Sequence, residues 1–251
     1  MTGKSISGFL SHKVTHNLWR ELGFPSDIKA NYLKRLYDNM SGGLPDHLRY
    51  LDIAAGLGRN SIAFSISFKD IYCLDINLRL HSDATSLNNL HAIQASAEIL
   101  PFHDEVFDLV SMFSLIEHVS HPTRVISEAI RVLKPQGELI IQVPNRYSIV
   151  EPHIGLPNPV FIPSFLRWKV LKIAGYSWWI GNANTPSKKR LKELILSVYS
   201  TPEAMKESKI VYPPEYIPRR FRLVYRVLYY IGLFRLLPLS YMFVLTKTGA
   251  K

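Results

Sequence analysis

Leu51-Asp52-Ile53-Ala54-Ala55-Gly56-Leu57-Gly58-Arg59-Asn60 is the stretch that decides how this chain folds. Tyr50, Leu51 and Ile53 form an apolar entry around one acid, Asp52. Small residues follow at 54, 55, 56 and 58, and then a helix-compatible run. The pattern predicts a buried strand ending in a tight loop that opens a helix, the place where open α/β sheets bind nucleotide-like ligands. Gly56 and Gly58 have no Cβ, so the backbone can turn sharply and let a ligand lie against it. A dinucleotide fingerprint, Gly-x-Gly-x-x-Gly, needs a third glycine for close helix-to-strand packing. Counted from Gly56 that place is Ser61, so the fingerprint fails.

Four further stretches follow in order. Ile71-Tyr72-Cys73-Leu74-Asp75 is a second apolar strand ending in an acid, 17 residues after Gly58. Gln94-Ala95-Ser96-Ala97-Glu98 precedes Leu100-Pro101-Phe102. A third apolar run, Phe107 to Leu115, leads into Ile116-Glu117-His118-Val119, and Val132-Leu133-Lys134-Pro135-Gln136-Gly137 leads into a strand through Asn145. Together these five elements, over about residues 48–146, resemble the class I S-adenosylmethionine (SAM) methyltransferases. That family carries an acid two residues before a small-x-Gly-x-Gly loop, matched here by Asp52, Ala54, Gly56 and Gly58. Ala54 stands where the family usually has Gly, and Ser96 where it usually has Asp.

The resemblance implies a Rossmann-like methyltransferase fold: α/β, doubly wound, with a seven-stranded, mostly parallel sheet. It also implies SAM as cofactor, with S-adenosylhomocysteine as its product. Asp52 would orient the methionine end, and the backbone of Ala54, Ala55, Gly56 and Gly58, with Asn60 at the helix start, would pass beneath it. Asp75 would take the ribose hydroxyls, while Ile76, Ser96, Ala97 and Glu98 would border the adenine. Phe113, Ser114 and His118 would lie near the sulfur. Among class I enzymes the chain most resembles the small-molecule branch that includes quinone-biosynthesis methyltransferases, through Glu98…Leu100-Pro101-Phe102 and Glu117-His118-Val119.

The 251 residues suit one α/β domain with an elaborated cap, and 47% hydrophobic against 20% charged residues argues for a folded globule. We divide it into a helical cap (1–47), a SAM-binding core (48–146), a substrate lid (147–185) and C-terminal helix and strand elements (186–251). The single cysteine, Cys73, lies in a predicted buried strand, which excludes a disulfide and suits a cytoplasmic protein. No apolar leader follows Met1. Charge is uneven. Residues 1–150 hold 14 Lys/Arg against 15 Asp/Glu, and residues 151–251 hold 16 against 5. The basic half is the substrate side of this family, so the excess points to an anionic substrate or an anionic surface such as phospholipid headgroups.

Strands alternate with helices and read as continuous apolar runs, the signature of a parallel sheet covered on both faces. A helix is predicted from a Ser26 cap with Ile28, Tyr32, Leu36 and Tyr37 on its apolar side. Another begins at Pro122, with Val125, Ile126, Ala129, Ile130 and Leu133 on one face. Beyond Asn145 aromatics crowd the chain, among them Tyr147, Phe161, Phe165, Trp168, Tyr176, Trp178 and Trp179, which predicts a lid. A sixth strand is expected near Ile210-Val211-Tyr212 and a last one over residues 241–247. Between them, the run from Arg219 to Leu237 is interrupted by Arg222, Arg226 and Arg235, which argues against a membrane span. It reads either as a surface helix docked on the sheet or as an interfacial helix making peripheral contact with an anionic membrane.

Methyl transfer from a sulfonium is an in-line displacement, so alignment of donor and acceptor supplies most of the acceleration. A hydroxyl acceptor also needs a base, and His118 and His153 are the candidates. Asn145, Arg146 and Tyr147 are the candidate substrate residues, Arg146 suiting a phosphate or carboxylate. His118 and His121 have no clear third ligand, so no metal is expected. An Asp/Asn-Pro-Pro-aromatic motif of DNA adenine enzymes is missing after the fourth strand, and Cys73 is misplaced for a cytosine enzyme, which excludes DNA. A basic face alone is weak support for RNA. The expected activity is methyl transfer to a small-molecule or lipid-linked acceptor, on oxygen or carbon. A non-catalytic SAM-fold binding or regulatory subunit and an RNA methyltransferase stand as alternatives, and the sequence leaves the oligomeric state open.

Overall fold

The structure, a computed structural model, describes residues 26–41, 48–148, 158, 162–173, 185–199, 205–212 and 219–248. Its described residues fall into two compact units. One comes from Ser26–Val143, Lys188–Ser208 and Tyr241–Lys251, the other from Pro144–Ser187 and Lys209–Ser240.

Seven strands, lying wholly or mostly in the first unit, form its sheet: β1 (Leu48–Ile53), β2 (Phe68–Asp75), β3 (Leu90–Gln94), β4 (Phe107–Phe113), β5 (Leu133–Pro144), β6 (Met205–Ile210) and β7 (Ser240–Thr246). Their order across the sheet is β3-β2-β1-β4-β5-β7-β6. The pairs β1–β2, β1–β4, β2–β3 and β4–β5 are parallel. The chain winds outward from β1 to β3 and then returns to β4 on the other side of β1. That reversal leaves a crevice at the carboxyl ends of β1 and β4, where ligands bind in open α/β sheets.

Burial follows strand position. Within β1 the last four residues are buried, and in β4 all but Asp108 are. Strands enclosed on both faces need such continuous apolar runs. Helix α4 (Pro122–Val132) lays Val125, Ile126, Ala129 and Val132 into the core. The helix ends at Val132 and Leu133 already belongs to β5, so residues 134–137, expected ahead of the strand, sit inside it as an irregularity. Phe107 pairs with Leu133 and Leu109 with Glu138, so the intervening residues loop out, with Gln136 at φ 64°. Lys134 Nζ holds both Asp108 oxygens at 2.9 Å, and Asp108 also accepts the Arg49 amide, fastening the starts of β1, β4 and β5.

Helix α1 (Ser26–Ser41) buries Ala30, Leu33 and Tyr37. The expected face is therefore rotated: Tyr32 and Leu36 are half-buried at its edge, and the side chain of Ile28 lies outside the description. The Tyr37 hydroxyl donates to the buried Glu138 Oε2 at 2.6 Å, and burial with that carboxylate holds the phenol well above its usual range.

Two expected strands are displaced. The sixth ends at Ile210 rather than centring on Val211, and the seventh starts one residue early, at Ser240. Met205–Ile210 reads as polar because β6 is an edge strand. Its Glu207 accepts from Lys188 and Lys192 on α6 (Lys188–Val198), which keep its carboxyl below the usual range.

The second unit contains α5 (Ser164–Ile173), α7 (Arg219–Tyr230) and α8 (Leu233–Leu236). Val211 and Tyr212, expected in a strand, instead pack on a small core of Tyr225, Phe234 and Leu239. Gly232, left-handed at φ 78°, breaks the run from Arg219 to Leu237 into α7 and α8. Among the described residues no helix is long and apolar enough to cross a membrane.

Candidate cofactor site

The site assembles where β1, β2, β3 and β4 end. Asp52 is the next-to-last residue of β1 and is buried to 1% exposure. Ser61, on helix α2 (Arg59–Phe64), donates to its Oδ2 at 2.6 Å, and Ser111 of β4 donates to its Oδ1 at 2.9 Å. Cys73 of β2 donates to the Ser61 oxygen at 2.9 Å, and the Tyr50 hydroxyl lies 2.7 Å from that of Ser111. Asp52 is thus the hub of a buried polar network that ties β1, β2, β4 and α2 together. The place where a dinucleotide fold wants glycine holds a serine because its hydroxyl serves this carboxylate.

Burial pushes the Asp52 carboxyl up to about 6, opposed by the Ser61 and Ser111 hydrogen bonds. A folded value above the unfolded 3.8 means that the folded chain takes up the proton more readily. The resulting stability is fully present below the unfolded value and is lost as the pH rises through about 6. Asp52→Asn removes that titration. Its stability relative to the parent chain should rise by about 2–3 kcal/mol between acidic and neutral pH. Urea denaturation of both forms across that range checks it, and parallel curves would refute it.

The loop after β1 depends on left-handed backbone. Ala54, Gly56 and Gly58 lie at φ 61°, 55° and 74°. The first costs about 1–2 kcal/mol for a residue with a Cβ, which accounts for the usual glycine there. Ala55 N donates to Leu74 O at 3.1 Å and Gly58 N to Ala55 O at 2.8 Å, fixing the turn. A Cβ on Gly56 would meet nothing within 4 Å, so this stretch of backbone is open to a ligand. Asn60 is half-buried in the first turn of α2.

Asp75 closes the loop from the side. Its Oδ2 accepts from Gly56 N at 3.0 Å and its Oδ1 from Asn77 N at 2.8 Å. The neighbouring Ile76 is 64% exposed, large for an isoleucine beside a strand end. At the end of β3, Ala95 N bonds Asp75 O. Ser96 and Ala97 follow in a turn in which Ser96 Oγ accepts from Glu98 N. Glu98 pairs with His121 Nδ1 at 3.1 Å, a partner the sequence did not suggest. Phe113, the last residue of β4, is buried, and Ser114 just beyond it sits at φ 53° with its hydroxyl on Gln142 Oε1. His118 follows with its ring exposed, Nε2 4.0 Å from the buried Glu117. Asp52, the loop, Asp75 and Ser114 are therefore brought together by hydrogen bonds and strand register.

The candidate substrate residues belong to the second unit. Asn145 is buried, donates from Nδ2 to Pro238 O at 2.8 Å and accepts from Tyr147 N, so its amide shapes the backbone. Arg146 and Tyr147 are exposed on the turn it forms. Asn158, which sequence reasoning missed, is buried and donates to Arg146 O at 3.1 Å. His153 and much of the expected lid, including Phe161, Tyr176, Trp178 and Trp179, lie outside the described residues.

Residues 51–141 match the family model described as a methyltransferase domain. Over 216 residues the chain is 26% identical to the ubiquinone/menaquinone biosynthesis C-methyltransferase UbiE of Blochmanniella floridana, covering 77% of this chain and 82% of that one. It is 31% identical over 144 residues to the mitochondrial 2-methoxy-6-polyprenyl-1,4-benzoquinol methylase of Caenorhabditis elegans, spanning about half of each. Among solved structures, a SAM-dependent methyltransferase from Thermotoga maritima aligns with a TM-score of 0.56 at 20% identity, covering 96% of this chain and 98% of that one. A Haemonchus contortus phosphoethanolamine N-methyltransferase, solved with S-adenosylhomocysteine, aligns with a TM-score of 0.58 at 14% identity over 87% and 53%. With this sheet order and this loop, residues 51–141 form a methyltransferase domain of the class I SAM-dependent type. Within that class it resembles the quinone-biosynthesis C-methyltransferases.

Proposed function

We propose that this chain methylates a ring carbon of a hydroxylated, lipid-linked aromatic acceptor of the quinol type. The observation that carries the reading is the similarity to a quinone-biosynthesis C-methyltransferase along 82% of that relative's length. The open backbone at Gly56 and the clasped Asp75 fit SAM. Asp75 takes the ribose hydroxyls, Ile76 and Ala97 border the adenine, and the Ala54–Gly58 backbone lies under the methionine end. Asp52 acts from below, holding the loop through Ser61. SAM, when bound, supplies an electrophilic methyl group. The protein's own task is to align the acceptor carbon and to shed water. Removing a proton from an acceptor hydroxyl raises electron density on the ring, and His118 and His153 are the proposed bases.

The test incubates the protein with methyl-labelled SAM and host extract, followed by fractionation into lipid, glycan, RNA and protein. Label in the lipid fraction, bound to carbon, is the expected result. Label in RNA alone overturns the reading, and SAM binding without transfer to any fraction identifies a binding subunit instead.

A further inference from the structure

Helix α7 is amphipathic twice over. One face is held inside its unit, where Tyr225 stacks on Phe234 at 4.4 Å and donates its hydroxyl to Tyr212 O. The opposite face is also apolar but faces outward. Leu223, Val227, Tyr230 and Ile231 are 75%, 55%, 76% and 67% exposed. Their spacing of four, seven and eight residues makes one continuous stripe, which Ile231 completes by donating its amide to Val227 O. An ordinary surface helix carries polar residues there. By helical angle, Arg222 and Arg226 flank one side of the stripe, and the segment 219–237 contains five arginines and no Asp or Glu.

Helix α5, in the same unit, repeats the arrangement. Phe165, Trp168 and Ile173 face outward with Lys169 and Lys172, and this helix also lacks acids. Leu171 is its buried anchor, and Lys172 Nζ lies 4.7 Å from the Trp168 ring.

We propose that α7 and α5 form a docking surface for an anionic phospholipid bilayer. The apolar stripes enter the headgroup boundary while the flanking cations meet the lipid phosphates, the interaction expected of interfacial helices. Charge selects this occupant. A second copy laid with its 219–237 segment on this one would bring arginines against arginines, and that segment contains no acid to answer them. Such docking sets where the enzyme works, whatever atom accepts the methyl group.

The test measures sedimentation of the full chain with vesicles of phosphatidylcholine alone and with vesicles also containing phosphatidylglycerol. Binding to the anionic vesicles should be at least about tenfold tighter and should weaken with salt. Val227→Asp should lower it by about tenfold or more, with thermal unfolding and SAM affinity unchanged. Arg226→Glu provides the same comparison where the aspartate impairs folding. Trp168→Phe should remove fluorescence that brominated lipids quench. Equal binding to neutral vesicles, indifference to both α7 variants, or a dimer that Val227→Asp dissociates in the absence of vesicle binding overturns the proposal.

Discussion

Asp75→Ala is expected to weaken SAM binding about 100-fold while leaving the sheet folded. The carboxylate stands at the end of β2 and holds two amides: Gly56 N, which belongs to the ligand loop, and Asn77 N, which shapes the turn beyond. Truncation removes the proposed ribose acceptor and releases the loop at its open glycine. Hydrogen bonds to a charged acceptor contribute about 1.5–3 kcal/mol each, so losing the sugar contact and the latch together gives roughly this factor. Asp75→Asn keeps one carbonyl oxygen and should cost only about tenfold, because it sacrifices charge and one acceptor. Isothermal calorimetry with SAM decides the matter. Unchanged affinity in Asp75→Ala would falsify the placement of the ribose.

The contrast between these two aspartates shows how far the sequence could be read. Both are strand-end acids with characteristic spacing from the glycines, and both were legible as part of the site. Their environments were not. Ser61 lies 9 residues and Ser111 lies 59 residues from Asp52. Only the parallel pairing of β1 with β4, Asp52 opposite Ser111, brings the latter into reach. A periodic pattern reports which residues share a face, but it does not report which strands are neighbours.

The same limit explains the sixth strand. Val211 and Tyr212 look like strand residues because they are apolar and β-prone, yet they pack on Tyr225 and Phe234 in another unit. The real strand carries Lys206, Glu207 and Lys209, residues that an edge tolerates and a central strand does not. Ala54 was legible as a departure from the family. Its left-handed backbone gives the departure a physical consequence, strain held within the loop.

That loop yields a second large effect. Gly58→Ala is expected to destabilise the chain by about 2–4 kcal/mol, combining a left-handed penalty with overpacking. An added Cβ would lie 2.9 Å from Ala84 Cβ and 3.1 Å from Leu80 Cδ2, at φ +74°. Ala84 is fully buried on the short helix α3 (Ser82–Thr85), and His81, at that helix's start, donates its amide to Leu57 O. The neighbour on one side is therefore pinned and cannot retreat cheaply. Gly56→Ala has the same backbone penalty without a clash, since nothing lies within 4 Å. It should cost about 1 kcal/mol of stability but a larger share of SAM affinity, because the new methyl group occupies the open side. Ala54→Gly should act in the opposite sense and stabilise by about 1 kcal/mol, relieving a conformation that glycine adopts freely. Thermal melts of the three variants should rank them Ala54→Gly above the parent chain, then Gly56→Ala, then Gly58→Ala. If Gly58→Ala melts with the parent chain, α3 is not packed against the loop, and the ligand rather than the protein determines the need for that glycine.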